Sequence, residues 1–193
     1  MFEVFFSHVD DRVSLTLEEK ETVKTFFSPK KLRKKQYLLQ EGDVCKYLAF
    51  IEKGLLRSYN VDDKGTEHMI QFAWEGSWIA DPASFLSGEP AGNNIDALED
   101  SELLLMTLPH YEESMIKVPK IERYYRLLFQ NNIISKEQRV LSSISYSASE
   151  KYTSLSETNP ELIKRIPQNL IASYLGITPE TLSRIRKSHA KKK

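Results

Sequence analysis

"QNLIASYLGITPETLSRIRK" (residues 168–187) has the apolar spacing of two helices joined by a tight corner. Pro167 falls at the first turn of the first helix, where a missing N–H costs nothing. Ile171, Ala172 and Leu175 make that helix's inner face. Gly176 provides the left-handed backbone that a tight interhelical turn demands. Ile177 plugs the corner, Thr178 is a natural N-cap, and Pro179 takes the first position of the second helix. Leu182 and Ile185 carry the buried side of that helix.

Two helices crossing steeply over a short turn need a small residue where they touch and a glycine at the corner. With Ala172 and Gly176 in those places, the outward face of the second helix is Pro179, Glu180, Ser183, Arg184 and Lys187. The N-terminal end of such a helix points into a major groove. Arg184 is able to bond guanine O6 and N7 together, and Glu180 to accept from cytosine N4. Arg186, Lys187 and the terminal "KKK" suit phosphates, as do Gln168 or Asn169 on the first helix. A helical hairpin that merely packs explains the apolar spacing. It does not explain the Ala and Gly offsets, the Thr-Pro start and the basic outer face together. The expected DNA contacts are therefore Gln168, Thr178, Pro179, Glu180, Ser183, Arg184, Arg186 and Lys187.

Charge along the chain agrees. Residues 1–146 hold 18 Lys+Arg against 23 Asp+Glu, a balance of −5, and residues 147–193 hold 9 against 4, a balance of +5. The net charge of zero thus hides an acidic body and a basic end, as expected of a polyanion-binding module. The 193 residues are enough to bury one medium core or two small ones. No apolar run approaches the ~20 residues that span a bilayer. "MFEVFFSHVDD" lacks the basic start and apolar core of a signal peptide. The single cysteine, Cys45, excludes an intrachain disulfide and argues against a cysteine-held metal or cluster. No cofactor or metal is expected, and a reducing, cytoplasmic setting fits.

Outward from the terminal motif, the texture changes twice. "LTLEEKETVKTFF", 15–27, reads as an amphipathic helix with Leu17, Val23, Phe26 and Phe27 on one face. "KKLRKK", 30–35, reads as a solvated loop and strand start. From 36 to about 108, "YLLQEGD", "YLAFIEKG", "LLRSYNVDDKG", "EHMIQFAWEG", "NNIDALEDS" and "ELLLMTL" follow one another at a spacing of about ten. Short runs punctuated by Gly, Asp and Asn are the mark of an antiparallel sandwich or barrel. "VDDKGTEH" reads as a hairpin turning at Asp63-Lys64-Gly65. After Pro119, residues 120–145 run without Gly or Pro as one long helix. Ile121, Tyr124, Leu128, Ile134 and Leu141 form its sparse apolar stripe, which resembles a coiled-coil seam and suggests a dimer. The alternative is that the helix packs wholly on its own sheet. The expected division is 1–117 for a β-roll sensor domain, 118–146 for the dimerisation helix and 147–193 for the DNA-binding domain.

A β-rich N-terminal part, a long helix near 120–145 and "IPQNLIASYLGITPETLSRIRK" together resemble the Crp/Fnr family of bacterial transcription regulators. The resemblance covers essentially the whole chain. It implies an α+β fold: an antiparallel, cyclic-nucleotide-binding-like β-roll of the double-stranded jelly-roll type, a dimerising helix, and a winged-helix-like helix-turn-helix. Glu180 and Arg184 match two positions the family uses for base contacts. The arginine common just before that glutamate is Pro179 here, which implies a different operator half-site. The chain stops at "SHAKKK", so any wing strands would lie before Pro167.

In cyclic AMP-binding members a cassette runs Gly-Glu-Leu, a short helix, then Arg-Ser or Arg-Thr. The matching stretch is "GSWIADPASFLSGEPAGNNIDAL", 76–98. Asp81 falls at the glutamate and Ala91 at the arginine, with Gly92 and Asn93 next, and no Arg or Lys occurs between Lys64 and Lys117. A buried phosphate with no cation is poorly compensated. Asp81, Ser84, Ala91, Gly92, Asn93 and Asn94 are the pocket candidates, with a vestigial pocket or an unknown effector expected in place of cyclic AMP. His8, His68 and His110 are isolated and read as ordinary histidines, not haem ligands. Two rival classes remain. One is a cupin-like metal-dependent enzyme, for which only His68 is on offer among the strands. The other is an interaction module whose terminal hairpin docks a protein. The expected partners are double-stranded DNA and a second copy of the chain, with RNA polymerase further on and no membrane.

Overall fold

Between residues 28 and 106 the short apolar runs become eight strands. They are β1 (Ser28–Leu32), β2 (Tyr37–Leu39), β3 (Leu48–Lys53), β4 (Leu55–Val61), β5 (Glu67–Trp74), β6 (Trp78–Ile79), β7 (Asn94–Ala97) and β8 (Ser101–Met106). The computed structural model describes residues 1–190, and the Lys191–Lys193 run of the expected phosphate contacts lies outside them. Two four-stranded sheets form, ordered β1-β8-β3-β6 and β2-β7-β4-β5, and all pairings are antiparallel. "KKLRKK" is thus partly strand, since Lys30–Leu32 pair with β8. The β4–β5 hairpin turns where expected. Asp62 Oδ1 accepts from the Lys64 and Thr66 amides at 2.9 Å each, and Gly65 sits at φ 79°. His68 bonded to Asp62, with those amides, draws the carboxyl down to about 2.

In β3 the residues Leu48 to Glu52 are all buried, and in β8 so are Leu103 to Met106. Strands buried on both faces read as continuous apolar runs. The inner face meets the other sheet. The outer side is covered by α1 (Glu3–Asp10) and the start of α5 (Lys120–Ser145). Phe5, Phe50, Trp78 and Tyr124 pack there edge to face, with Phe5 and Phe50 5.2 Å apart. α2 (Leu17–Lys24) starts with a capping box between Thr16 and Glu19. Its expected apolar face is half right. Val23 is buried, but Leu17 is 84% exposed, and Phe26 and Phe27 enter the core only after the helix has ended. The short α3 (Pro82–Ser87) and α4 (Leu108–Lys117) close the roll.

One buried polar chain ties α1 to α5. Trp78 Nε1 donates to Tyr124 Oη at 2.9 Å, and Tyr124 Oη lies 2.8 Å from His8 Nδ1. An indole can only donate, so Tyr124 Oη accepts from Trp78; toward His8 it donates when Nδ1 carries no proton and accepts when it does. Burial, and then Arg12, lowers the His8 pKa from 6.5 to about 4. In that window the unfolded chain binds a proton that the folded chain refuses, so stability falls as pH drops from 6.5 towards 4. His8 is only half-buried, which limits the effect to the order of 1 kcal/mol. His8→Gln keeps an acceptor and does not titrate. Urea midpoints at pH 7 and pH 5 should differ less in this variant than in the wild type.

The C-terminal part is helical: α6 (Ala148–Thr158), α7 (Pro160–Arg165), α8 (Gln168–Leu175) and α9 (Pro179–Ala190). Among the described residues after 146 there is no strand, and α6 and α7 occupy the stretch before Pro167 in which any wing strands would lie. This part packs on the outer face of the second sheet. Leu55, Tyr59, Met69 and Phe72 share one core with Leu162, Ile166, Leu170, Ile171 and Leu182. β5 is the edge strand of its sheet, and exposed strand edges invite unwanted pairing. Here the edge is occupied. Ser173 Oγ donates to Glu67 O at 3.0 Å and accepts from Met69 N at 3.1 Å. Arg139 of α5 donates to Met69 O and Ile70 O, and lies 4.1 Å over the Tyr174 ring.

Candidate nucleic-acid interface and ligand cassette

α8 and α9 form the expected corner. Gly176 lies at φ 67°, and Ile177 N reaches back to Ala172 O at 3.0 Å, closing α8 in a Schellman-type turn. Pro167 precedes α8 as its N-cap residue and does not lie within the first turn. Thr178 Oγ1 accepts from Thr181 N at 3.2 Å and so caps α9. Ile171, Ala172 and Leu182 are fully buried between the helices. The far end of α9 is pinned to α6, with His189 Nε2 3.1 Å from Thr153 Oγ1 and its ring 5.6 Å from that of Tyr152.

With that face inward, Pro179, Glu180, Arg184 and Lys187 are exposed, and Ser183 and Arg186 half-buried. Gln168 and Thr178 are exposed at the starts of the two helices. Thr181 Oγ1 accepts from Arg184 Nη2 at 3.3 Å and from Thr178 Oγ1 at 3.2 Å. The guanidinium is therefore held along the helix and ready to swing outward. Glu180 keeps its carboxyl below the usual range through the helix-start amide, then Thr178, then Arg184. The face thus carries an acceptor and a fork of donors one helical turn apart.

α5 is divided along its length. Ile121 and Tyr124 are fully buried in the roll's own core, and Leu128 is half-buried against it, so Ile121 and Tyr124 are not free to meet a partner. That corrects the expected stripe, because the first turns of the helix serve the aromatic cluster. Further on, Ile134 and Leu141 are 51% and 56% exposed, flanked by exposed Ile133, Val140 and Ile144. Residues 133 and 140, and 134 and 141, are each seven apart, a coiled-coil repeat left exposed by the described residues.

The cassette closes on itself. Asp81 caps α3 by accepting from Ser84 N at 3.1 Å, and its other oxygen accepts from Gly92 N at 3.2 Å and Asn93 Nδ2 at 3.1 Å. Buried Ser84 is spent on Cys45 N at 2.8 Å and Glu89 O at 2.5 Å. Ala91 is buried and exchanges backbone bonds of 2.9 Å with the Gly42–Asp43 turn. Asn94 Oδ1 accepts from Glu41 N at 3.1 Å. Cys45 itself is buried, and burial pushes its thiol pKa up. A hollow of about 610 Å³ opens nearby, lined by Tyr37, Leu39, Val44, Lys46, Tyr47 and Ile95, none of them a cassette candidate.

The cyclic nucleotide-binding domain model matches residues 29–116. An anaerobic regulatory protein from Aggregatibacter actinomycetemcomitans is 25% identical over 167 residues, which are 81% of this chain and 64% of that protein. FixK2 from Bradyrhizobium japonicum superimposes with a TM-score of 0.73 at 20% identity, covering 86% of this chain and 85% of the other. A structure from Eubacterium rectale, described as a candidate transcriptional regulator of the Crp/Fnr family, gives 0.66 at 18% identity over 92% and 84%. The chain holds a cyclic nucleotide-binding domain and is similar in fold to these proteins, a Crp/Fnr-type regulator among them. It spans just under two thirds of the length of the anaerobic regulatory protein. The relatives are named as regulators, and nothing among them supports the enzyme alternative.

In this chain the cassette's polar groups are committed to their own loop. Asp81 already receives three N–H donors, which leaves a ribose hydroxyl at most one of the carboxylate's roughly four lone-pair sites. Cyclic AMP should therefore give no saturable heat by calorimetry up to about 1 mM, and no upward shift of the melting temperature. Three residues that hold the helix-turn-helix to the roll went unassigned in sequence: Arg139, Arg165 and Ser173. Their partners lie 66 to 106 residues away, and no local pattern marks them.

Proposed function

We propose that this chain is a cytoplasmic, homodimeric, sequence-specific DNA-binding transcriptional regulator of Crp/Fnr type whose signal is not cyclic AMP. Residues 1–117 are the sensor domain, 118–146 the dimer helix, and 147–193 the DNA-binding domain. The observation that carries the reading is the outward face of α9, where Glu180, Arg184 and Lys187 are exposed while Leu182 is fully buried. Helix N-termini bearing such a face read base edges in the major groove. The exposed repeat of Ile134 and Leu141 supports a two-fold pairing of α5. RNA polymerase is the natural next partner of a bound regulator. The test is titration of duplex DNA at several salt concentrations. A groove reader making six or more phosphate contacts loses affinity with a log–log slope steeper than about −5. A protein-docking hairpin shows no binding, or none that salt removes.

A further inference from the structure

We propose that Arg165 is a positioning residue. It fixes the pose of the helix-turn-helix on the roll, and so sets the distance between half-sites that a dimer accepts. The proposal rests on the DNA-binding reading.

Arg165 ends α7, two residues before Pro167 and three before α8 begins. Its guanidinium grips two carboxylates from separate turns of the roll. Nη1 donates to Glu75 Oε2 at 2.8 Å and Nη2 to Glu75 Oε1 at 3.1 Å. Nε donates to Glu99 Oε1 at 3.1 Å and Nη2 to Glu99 Oε2 at 2.7 Å. Glu75 is itself anchored, since its Oε1 accepts from Gly54 N at 2.7 Å. Side-chain exposures of 29% for Arg165, 35% for Glu75 and 37% for Glu99 put the cluster at a partly covered seam between the two parts of the chain. Bidentate pairs on both sides fix the orientation of a planar cation, as a single lysine pair would not.

Arg165 is also poorly suited to hold DNA. Four donor contacts go to carboxylates, and two glutamates against one arginine leave the cluster net negative. Its role therefore passes through geometry. Ser173 and Arg139 hold α8 to β5, and Arg139 lies on the same helix as the exposed repeat. With Arg165 closing the other side, the roll, the dimer helix and α9 move as one body. One added base pair shifts a half-site by about 3.4 Å along the helix axis. It also turns the half-site by roughly a tenth of a helical turn. A pinned domain cannot follow that shift; a freed one swings about the junction at Tyr146 and Ser147.

The test uses the full chain and the operator that it selects from random DNA, with spacers lengthened and shortened by one and two base pairs. Affinities are compared for the wild type, Arg165→Ala and the isosteric Glu75→Gln/Glu99→Gln. The wild type should discriminate among spacers by about tenfold or more, and both variants by less than about threefold, the scale of coupling between contacting residues. Affinity for an isolated half-site should stay within about twofold. Two results overturn the proposal while leaving the function intact. One is an unchanged spacing profile in both variants. The other is an Arg165→Ala chain that loses half-site affinity with a salt slope shallower by about one, the mark of a phosphate contact. A wild type that selects no DNA at all sinks the function first, and this proposal with it.

Discussion

Arg184→Ala should strip the protein of its operator while leaving the fold intact. Arg184 is exposed, and its one side-chain bond among the described residues, to Thr181 at 3.3 Å, is replaceable by water. Bidentate recognition of guanine is worth about 1–3 kcal/mol per site. A symmetric dimer spends the residue twice, so the expected loss is roughly 100-fold or more for the full operator. Non-specific affinity at low salt should fall far less, because it comes from the summed phosphate contacts. The melting temperature should not move. Glu180→Ala should be milder in affinity and should relax the preference at one position. Binding titrations against operator and scrambled duplex check both.

Ile134→Glu combined with Leu141→Glu should turn a dimer into a monomer. Both side chains are more than half exposed in the single chain, so the substitutions cost little there. In a paired seam each introduces a carboxylate facing its own copy. An unpaired buried charge costs about 3 kcal/mol or more. Dissociation should therefore rise by at least roughly 100-fold, visible by sedimentation at micromolar concentration. Operator affinity should collapse as well, since two half-sites bound by one body gain from effective concentration and two free monomers do not. Ile121→Ala is the contrasting variant. That residue is wholly inside the roll, so the change should lower stability by about 2–5 kcal/mol and leave the association of the folded chain alone.

The helix-turn-helix was legible because its rules are local. A buried alanine, a corner glycine and a Thr-Pro start each answer to neighbours within a few residues, and Gly176, Thr178 and Leu182 stand where that logic puts them. Six of the eight strands were legible for the same reason, with turn residues marking their ends, whereas β6 was not and β1 showed only as the strand start in "KKLRKK". The long helix was legible in extent but not in use. Ile121 and Tyr124 belong to the same sparse apolar stripe as Ile134 and Leu141, and only the aromatic cluster around Phe5 and Trp78 separates the buried half from the free one. α1 was missed because its Phe-rich sequence answers to strands some 45 residues on. The clamp of Arg165 on Glu75 and Glu99 was missed because its members are separated by up to 90 residues. The cassette lies between these cases. Its missing cation was plain in sequence, whereas the three donors that engage Asp81 needed the fold.

The central claim is that this chain reads DNA as a symmetric dimer through α9. The most direct measurement is selection of bound sequences from random duplex DNA by the full-length protein. The account predicts enrichment of an inverted repeat with half-sites about one helical turn apart, and its loss with Arg184→Ala. Enrichment of nothing, or of a single unrepeated motif that Arg184→Ala binds equally well, would contradict it.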